Sequence, residues 1–347
     1  MTTLLTGGTG YLGAAVLERC LETGVRNLRC FVRPGASRQR LLALRARYGR
    51  AAIELVEGNL ARRRDADRAV AGVERVVHLA AGMRGAPADM FINTVVASQH
   101  LFDAVARSAV RRLVVVSSLS VYGLSDVAPT RLIAEDTPLD QHPDRRDTYT
   151  HTKIWQERLL GVLAGRSSLS CVVLRPGPLY GRGGSALPSR IGLQLPGLLL
   201  QLCGSARLPL SYLDNCAEAV RFAAFDDAVP PGAYNVVDDD LPTVSAYLDR
   251  YRNEVQRIRV LRLPFAGTLM LARWNEHFHV RSRGQIPRVL TPYRARNIWR
   301  GHVYDNARLK HAGWQQRIPT EAALNAAFGA WRDRLGVRGP ALVAATR

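Results

Sequence analysis

The chain has 347 residues, 47% of them hydrophobic and 22% charged, and a formal net charge of +19. This balance is ordinary for a globular protein with a sizeable core, built as one large domain or two smaller ones. No run of 18 apolar residues predicts a membrane-spanning helix, and the first residues lack the basic region and cleavage site of a secretion signal. Five scattered cysteines without a Cys-x-x-Cys pair predict reduced thiols in a cytoplasmic protein.

The positive charge admits three kinds of partner: nucleic acid, anionic lipid or a phosphorylated ligand. No nucleic-acid-binding motif accompanies the arginines, so no nucleic-acid partner is predicted. The densest stretch, residues 281–300, holds six Arg and follows an apolar, helix-like segment at 265–274. A solvated basic surface beside a packed helix is the favoured interpretation, with peripheral membrane contact or an anionic-substrate patch as the alternatives. Histidines show no metal-ligand spacing beyond His277-x-His279, and no metal site is predicted.

Short apolar runs alternate with helical patterns in the first half of the chain. Strands are predicted at residues 4–6, 28–32, 53–57, 75–79, 113–117 and 170–174, and helices at 11–23, 88–108 and 149–160. Apolar strands separated by helices predict an α/β fold with a doubly wound parallel sheet. Beyond residue 175 the regular alternation of strands and helices ends. One more helix is predicted at 212–224, one more strand at 233–237, and mainly helical patterns follow over 241–335.

A glycine-rich run, Gly7-Gly8-Thr9-Gly10-Tyr11-Leu12-Gly13, lies between the first predicted strand and the first predicted helix. The first glycine permits a tight turn, the second lets backbone approach a pyrophosphate, and the third lets helix and strand pack closely. The helix N-terminus adds free N–H groups and a positive dipole end. This setting predicts dinucleotide binding. The chain then divides into a Rossmann domain (1–178 plus 213–238), a smaller, mostly helical substrate lobe (179–212 plus 239–335) and a disordered tail (336–347).

The second predicted strand ends in Phe31-Val32-Arg33, where an NAD site usually carries an acid for the ribose 2′-OH. Arg33 can instead form a charge-assisted pair with a 2′-phosphate, assisted by Arg38 and Arg40. NADP(H) is therefore the expected cofactor, with NAD(H) as the alternative.

Only two of the 48 basic residues are Lys, and Lys153 follows Tyr149 by four positions on a predicted helix. Residues at i and i+4 share a helix face, and a nearby ammonium lowers the pKa of a phenol from about 10 toward neutrality. Tyr149 would then transfer protons near pH 7. Ser118 follows the fifth predicted strand, at the edge of a parallel sheet where ligands bind, so its hydroxyl can hold a substrate carbonyl or alcohol.

With these motifs in this order, the chain resembles the extended short-chain dehydrogenases/reductases over residues 2–328. The further matching pieces are Gly58-Asn59-Leu60, His78-Leu79-Ala80-Ala81, Asn93, Arg175-Pro176 with Tyr180-Gly181, and Asp214-Asn215. Asn59 departs from the more usual Asp at its place in the family.

The resemblance implies that Tyr149 is the general acid/base, Lys153 binds the nicotinamide ribose and Ser118 positions the substrate oxygen. Asn93 would be the supporting Asn on the helix after the fourth strand. A small-molecule substrate and a homodimer formed through the Tyr149 helix and its neighbour are expected as in the family. Together with Arg33 and Arg38, the expected dinucleotide contacts are Gly7, Thr9, Gly10, Tyr11, Leu12, Gly13, Asn59, Leu60, Leu79, Ala80, Ala81, Tyr149, Lys153, Pro176 and Gly177.

Two departures from the family pattern narrow the range of reactions expected for this chain. Leu119 and Ser120 stand where its nucleotide-sugar dehydratases typically carry Asp-Glu, so water elimination lacks its usual acid and base. Pro178 stands where many nucleotide-sugar epimerases carry an Asn that contacts the diphosphate, and proline has no donor to offer. The run 174–181 looks more like 3β-hydroxysteroid-dehydrogenase-type carbonyl reductases.

The leading expectation is reversible hydride transfer between NADP(H) and a secondary alcohol or carbonyl of a fairly apolar substrate. One alternative is a nucleotide-sugar epimerase or reductase, whose diphosphate would be held by Arg182, Arg190 or Arg207. The other is a non-catalytic NADP-sensing regulator, a class that typically loses Tyr or Lys from the triad, whereas this chain keeps both.

Overall fold

The computed structural model describes residues 1–129, 131–166 and 168–336, so residues 337–347 of the predicted tail lie outside the described part of the chain. Its strands, in chain order, are β1 (Thr3–Thr6), β2 (Leu28–Val32), β3 (Ile53–Glu57), β4 (Arg75–His78), β5 (Arg112–Val116), β6 (Leu132–Ile133), β7 (Ser170–Pro176), β8 (Leu179–Tyr180), β9 (Gly192–Leu195), β10 (Leu198–Leu202), β11 (Ser211–Tyr212), β12 (Gly232–Val236), β13 (Val260–Leu263) and β14 (Val303–Tyr304).

The α-helices, in chain order, are α1 (Tyr11–Glu22), α2 (Gln39–Tyr48), α3 (Arg63–Val70), α4 (Pro87–Phe91), α5 (Ala97–Ala106), α6 (Thr148–Ala164), α7 (Leu213–Phe225), α8 (Val244–Glu254), α9 (Phe265–Arg281), α10 (Pro292–Trp299), α11 (Ala307–His311) and α12 (Thr320–Leu335). A π-helical segment, Ile92–Val96, joins α4 to α5, and single 3₁₀ turns lie at Arg50–Ala52, Leu119–Val121 and Pro143–Arg145. No helix in the three described ranges is long and apolar enough to cross a membrane.

A seven-stranded parallel sheet forms the centre of the molecule, in the order β12-β7-β5-β4-β1-β2-β3. Helices cover both of its faces. Residues of α1, α2 and α7 pack on one side, and residues of α3, α5 and α6 pack on the other. Burial on both faces explains why the strands are continuous apolar runs rather than alternating ones. The doubly wound Rossmann fold predicted from the sequence is confirmed. The six strands predicted in the first half lie within two residues of those observed, whereas the helix predicted at 149–160 ends four residues later, at Ala164. The single helix predicted at 88–108 is divided into α4, a π-helical segment and α5.

Strand order sets where a ligand crevice can form. From β1 the chain proceeds to β2 and β3 on one side, and β4, β5, β7 and β12 are added on the other. Such a reversal opens a crevice at the carboxyl ends of the strands on either side of it. The crevice therefore lies beyond the ends of β1 and β4, where the glycine-rich turn and the residues after β4 meet.

The C-terminal lobe contains a small sheet that its helical pattern did not reveal. β9 and β10 form an antiparallel hairpin, and β13 adds to β10 in parallel. Leu199 on β10 packs with α8 and α12, whereas Leu200 and Leu202 pack with α9 and α10. The hairpin thus joins the two halves of the lobe and brings α10 toward the carboxyl edge of the central sheet.

A buried ion pair fixes α6 against the sheet. Arg175 on β7 donates to both carboxylate oxygens of Glu157 on α6, with Nη2 2.7 Å from Oε2, and its guanidinium lies 4.7 Å from the ring centre of Tyr122. Both charged side chains are less than a tenth exposed. The pair therefore sets the position of α6 along β7.

Replacing Glu157 with Gln should destabilise the protein by about 3–5 kcal/mol, because the guanidinium of Arg175 is left buried without its counter-charge. The measurement is urea denaturation at pH 7, compared with the wild type. Asp67→Asn is the matched control. Asp67 pairs with Arg107 at 2.7 Å, but both side chains are about half exposed, and a change within about 1 kcal/mol is expected. Equal losses of unfolding free energy in Glu157→Gln and Asp67→Asn would contradict a special stabilising role for the buried Arg175–Glu157 pair.

Candidate active site

The turn after β1 has the shape that a pyrophosphate needs. Gly7 has a φ of +75°, and a Cβ atom there would lie 2.8 Å from the backbone nitrogen of Ala80. A Cβ atom on Gly13 would lie 2.1 Å from the carbonyl oxygen of Gly7, so only glycine lets α1 pack this closely on the turn. Gly10 is the N-cap of α1 and leaves the first N–H groups of the helix open. The residues present therefore fit the diphosphate of a dinucleotide.

One cavity of about 980 Å³ extends from this turn past the ends of β4, β5 and β7 to the C-terminal lobe. Nearly all of the predicted site residues line this cavity. They are Gly7, Thr9, Gly10, Tyr11, Leu12, Gly13, Arg33, Asn59, Leu60, Leu79, Ala80, Ala81, Asn93, Ser118, Tyr149, Lys153, Pro176 and Gly177. Arg38 is the exception, because its guanidinium is bonded to the carboxylate of Glu57 and does not line this cavity.

Ser118 and Tyr149 both line the cavity. Ser118 follows β5 in an extended conformation, and its Oγ accepts from the backbone N–H of Ser120 at 3.2 Å. Tyr149 lies in the first turn of α6, which Asp147 caps by accepting from the N–H of Thr150. Burial raises the pKa of Tyr149 to about 12, and a side-chain hydrogen bond with Ser118 acts in the opposite direction.

Lys153 lies one turn further along α6 and is 3% exposed. Its Nζ donates to the carbonyl oxygen of Val116 at 2.8 Å and to Oε1 of Gln156 at 2.9 Å. Burial lowers the pKa of Lys153 to about 8, against the opposing effect of Glu157. The predicted lowering of the Tyr149 pKa by this ammonium is wrong for this arrangement, because desolvation of the phenol outweighs the other influences.

A chain of buried hydrogen bonds continues from Lys153 to the centre of the sheet. Nε2 of Gln156 donates to Oγ of Ser98 on α5 at 2.7 Å, and Ser98 Oγ lies 2.9 Å from Nε2 of His78 on β4. Nδ1 of His78 lies 2.7 Å from Oγ1 of Thr6 on β1. Burial, with a contribution from Lys153, lowers the pKa of His78 to about 3, so the imidazole is neutral at ordinary pH. The chain fixes the position of Lys153 relative to β1 and β4.

Asn93 and Arg33 lie together on the β2 side of the cavity. Oδ1 of Asn93 accepts from Nη1 of Arg33 at 3.2 Å, and its Nδ2 donates to the carbonyl of Asp89 at 2.7 Å. Asn93 is part of the π-helical segment, an irregularity often found at functional sites. A second cavity of about 570 Å³ adjoins both residues and is also lined by Asn59 and by three further arginines, Arg62, Arg64 and Arg68.

The large cavity is also lined by residues outside the predicted cofactor and catalytic site, among which the sequence had indicated Arg190 as a possible diphosphate ligand. Leu179 and Leu193 come from the segment after β7, and Val289, Ile298 and Trp299 come from the C-terminal lobe, with Arg190 and Arg294 beside them. The charged stretch 281–300 was noticed in the sequence only for its arginines. Its apolar members Val289, Ile298 and Trp299 were not predicted to line a site, and no helical spacing relates them to one another.

The profile of the NAD dependent epimerase/dehydratase family matches residues 3–236. The chain belongs to this family. A 2-alkyl-3-oxoalkanoate reductase of Stenotrophomonas maltophilia is 30% identical over 238 residues, 67% of this chain and 67% of that protein. A 4-hydroxy-2-methyl-3-oxo-4-farnesyl-3,4-dihydroquinoline-1-oxide ketoreductase of Stigmatella aurantiaca is 29% identical over 298 residues, 84% of each chain.

A 3β-hydroxysteroid dehydrogenase/Δ5→4-isomerase of Mycobacterium tuberculosis is 28% identical over 257 residues, 69% of this chain and 65% of that one. Among solved structures, the UDP-glucose 4-epimerase of Thermus thermophilus with NAD has a TM-score of 0.68 at 18% identity, over 96% of this chain and 99% of that one. At this identity the likeness shows the fold alone. The resemblance to extended short-chain dehydrogenases/reductases is confirmed, and the protein is an NAD(P)-dependent enzyme, an oxidoreductase or epimerase, rather than a non-catalytic regulator.

Replacing His78 with Gln should flatten the acid dependence of stability. The folded pKa of about 3 lies below the value of about 6.5 in an unfolded chain, so the unfolded state binds the proton first and stability falls as pH drops below about 6.5. The slope from this one group approaches about 1.4 kcal/mol per pH unit. The measurement is the free energy of unfolding, obtained by urea denaturation at several pH values between 7 and 4.5. His277→Gln, at an exposed histidine, should follow the wild type, and parallel curves for wild type and His78→Gln would refute the assignment.

Proposed function

We propose that the protein is a reductase that transfers a hydride reversibly between NADP(H) and the carbonyl or secondary alcohol of a fairly apolar substrate. The observation that carries the proposal is the single cavity in which the glycine-rich turn, the Ser118–Tyr149 pair and an apolar far end are continuous. The named relatives support it, since they include a 3-oxoalkanoate reductase, a ketoreductase of a farnesyl-bearing compound and a steroid dehydrogenase.

Each group of the triad has one task in this proposal. A dinucleotide held at the glycine-rich turn would supply the hydride that the carbonyl carbon accepts. Tyr149 donates its phenolic proton to the carbonyl oxygen, so that hydride and proton together convert the carbonyl to an alcohol. In the reverse direction the phenolate form of Tyr149 accepts the alcohol proton. Ser118 orients the oxygen by a hydrogen bond, and Lys153 holds the ribose of the cofactor. The raised pKa of Tyr149, about 12, keeps the phenol protonated at neutral pH, the form that carbonyl reduction requires.

Replacing Tyr149 with Phe should lower kcat by about 10²–10⁴-fold, because the proton donor is lost while the shape of the cavity is kept. Affinity for NADPH, measured by fluorescence titration, should be retained. Tyr48→Phe, on the surface helix α2, is the control and should leave turnover unchanged. Turnover by Tyr149→Phe at the wild-type rate would exclude Tyr149 as the acid, and a parallel loss of NADPH binding would point to a structural role instead.

We propose NADP(H) as the preferred dinucleotide. Arg33 follows β2, and the cavity beside it is also lined by Arg62, Arg64 and Arg68. Glu57 and Asp65, the acids of that cavity, are bonded to Arg38 and Arg68. A 2′-phosphate placed there would meet Arg33 and Arg62 as charge-assisted donors.

Replacing Arg33 with Ala should weaken NADPH binding by about 10–100-fold, the equivalent of one hydrogen-bonded charge pair, and leave NADH binding nearly unchanged. Isothermal titration with both dinucleotides gives the comparison. Arg50→Ala, at an exposed arginine outside both cavities, serves as the control for net charge. Equal weakening of NADH and NADPH would argue against a 2′-phosphate site.

A nucleotide-sugar epimerase or reductase is the second candidate. Arg190 lines the large cavity, as a diphosphate ligand would need, whereas Arg182 and Arg207 do not. A panel of steroid, acyl and sugar-nucleotide substrates separates the two when NADPH consumption is measured for reduction and the sugar products are analysed for redox-neutral epimerisation. Conversion of a UDP- or dTDP-sugar with no reduction of apolar carbonyls would establish this alternative.

We further propose a cytoplasmic homodimer with α6 at its interface. Trp155 and Val162 are large exposed apolar residues of α6, with partly buried Leu159 between them at helical spacing. All five cysteines are unpaired, as reduced thiols of a cytoplasmic protein would be.

A further inference from the structure

Helix α9 presents large apolar side chains to solvent on the face that does not pack against the lobe. Its inner face contains the fully buried Thr268 and Ala272. On the outer face, Met270, Trp274 and Phe278 follow one another at four-residue spacing and are 56%, 59% and 49% exposed. Residues at this spacing form one row along a helix, so the exposure belongs to a continuous stripe and not to isolated positions.

The last turn of α9 and the loop after it carry three further exposed apolar residues. Val280, Ile286 and Val289 are 72%, 41% and 53% exposed. Asn275 holds the loop against the helix by donating to the carbonyl of Pro287 and accepting from the N–H of Leu290, at 3.2 and 3.0 Å. We call these six apolar residues, Met270, Trp274, Phe278, Val280, Ile286 and Val289, the α9 surface.

The chain segment that carries the α9 surface has a strong excess of positive charge. Residues 255–304 contain ten Arg and one Glu, a formal excess of nine positive charges. The single acid, Glu276, is bonded to Arg288. Arg273 and Arg281 are exposed on α9 itself, eight residues apart and adjacent to the apolar row. Nearly half of the net charge of the protein therefore lies in the segment that carries the α9 surface.

The α9 surface also reaches the mouth of the large cavity. Val289 belongs to both, and it lies in the cavity wall with Ile298 and Trp299 of α10. The α9 surface therefore borders the cavity that Tyr149 also lines.

We infer that the α9 surface docks on an anionic phospholipid bilayer, with α9 lying in the plane of the interface. A row of Trp, Phe and Met flanked by Arg is the pattern of helices that bury their apolar face at the boundary between headgroups and acyl chains. Each basic residue near an anionic leaflet adds attraction. A second copy of the chain fits this surface poorly, since a two-fold contact would bring two like-charged segments together. The corollary, that the apolar substrate enters from the bilayer, rests on the proposed function, whereas the docking does not.

Co-sedimentation of the full chain with vesicles tests the inference. We expect binding to phosphatidylcholine vesicles that contain phosphatidylserine, little binding to phosphatidylcholine alone, and weaker binding at high salt. Trp274→Ser/Phe278→Ser should weaken binding at least about tenfold through the loss of two buried apolar side chains. Arg273→Glu/Arg281→Glu should weaken it to a similar degree.

Two matched variants control for these changes. Leu42→Ser/Leu132→Ser removes two residues about half exposed elsewhere, and Arg50→Glu/Arg334→Glu makes the same charge change outside the α9 surface. Both should bind vesicles as the wild type does. No vesicle binding at low salt, or equal losses in the control variants, would overturn the inference. So would conversion of a wild-type dimer to a monomer by Trp274→Ser/Phe278→Ser, because the surface would then be a protein interface.

The docking and the proposed function can fail separately. Reduction of a short, water-soluble ketone without vesicles should be unaffected by Trp274→Ser/Phe278→Ser, while reduction of a ketone dissolved in the vesicles should fall. Vesicle binding without carbonyl reduction would remove the proposed function and leave the docking intact. Carbonyl reduction without vesicle binding would remove the docking and leave the proposed function intact.

Discussion

The buried hydrogen-bond chain from Lys153 through Gln156, Ser98 and His78 to Thr6 is the interaction on which the rest of the site depends. It crosses from α6 through α5 to β4 and β1, so the helix that carries Tyr149 is held to the two strands between which the ligand crevice opens. A buried polar group without a partner is costly, and a network in which each member is bonded rigidifies its surroundings. The glycine-rich turn after β1 and the proton donor on α6 are thereby held in one rigid unit.

Burial also sets the charge states in this unit, and it outweighs the neighbouring charges. The pKa of Tyr149 is raised to about 12, that of Lys153 is lowered to about 8 and that of His78 is lowered to about 3, each chiefly by desolvation. The expectation drawn from the Tyr-x-x-x-Lys spacing considered only the attraction between phenolate and ammonium. It missed the larger effect because the depth of a side chain is not visible in its spacing.

The parts of the structure that could be predicted from the sequence are those encoded by residues close together in the chain. The apolar strands and the glycine turn follow from residues adjacent in the chain, so β1, α1 and their turn could be placed closely. The two Arg-rich helices α2 and α3 were not anticipated, since each buries only a few small or apolar residues. Trp299 and Val289 reach the cavity from more than 100 residues beyond Tyr149, through the packing of α9 and α10 on the β9–β10 hairpin. No short-range pattern encodes that contact.

The presence of Lys rather than Arg at position 153 has a physical explanation. Buried guanidiniums elsewhere are surrounded by acceptors: Arg112 donates to two carbonyls and a hydroxyl, and Arg146 donates to a carboxylate, an amide and two carbonyls. Nζ of Lys153 has the carbonyl of Val116 and the amide oxygen of Gln156. Five guanidinium N–H groups at that place would leave donors buried without partners, at a cost of about 1–3 kcal/mol each. A compact ammonium satisfies the two acceptors, which explains why an otherwise arginine-rich protein keeps Lys there.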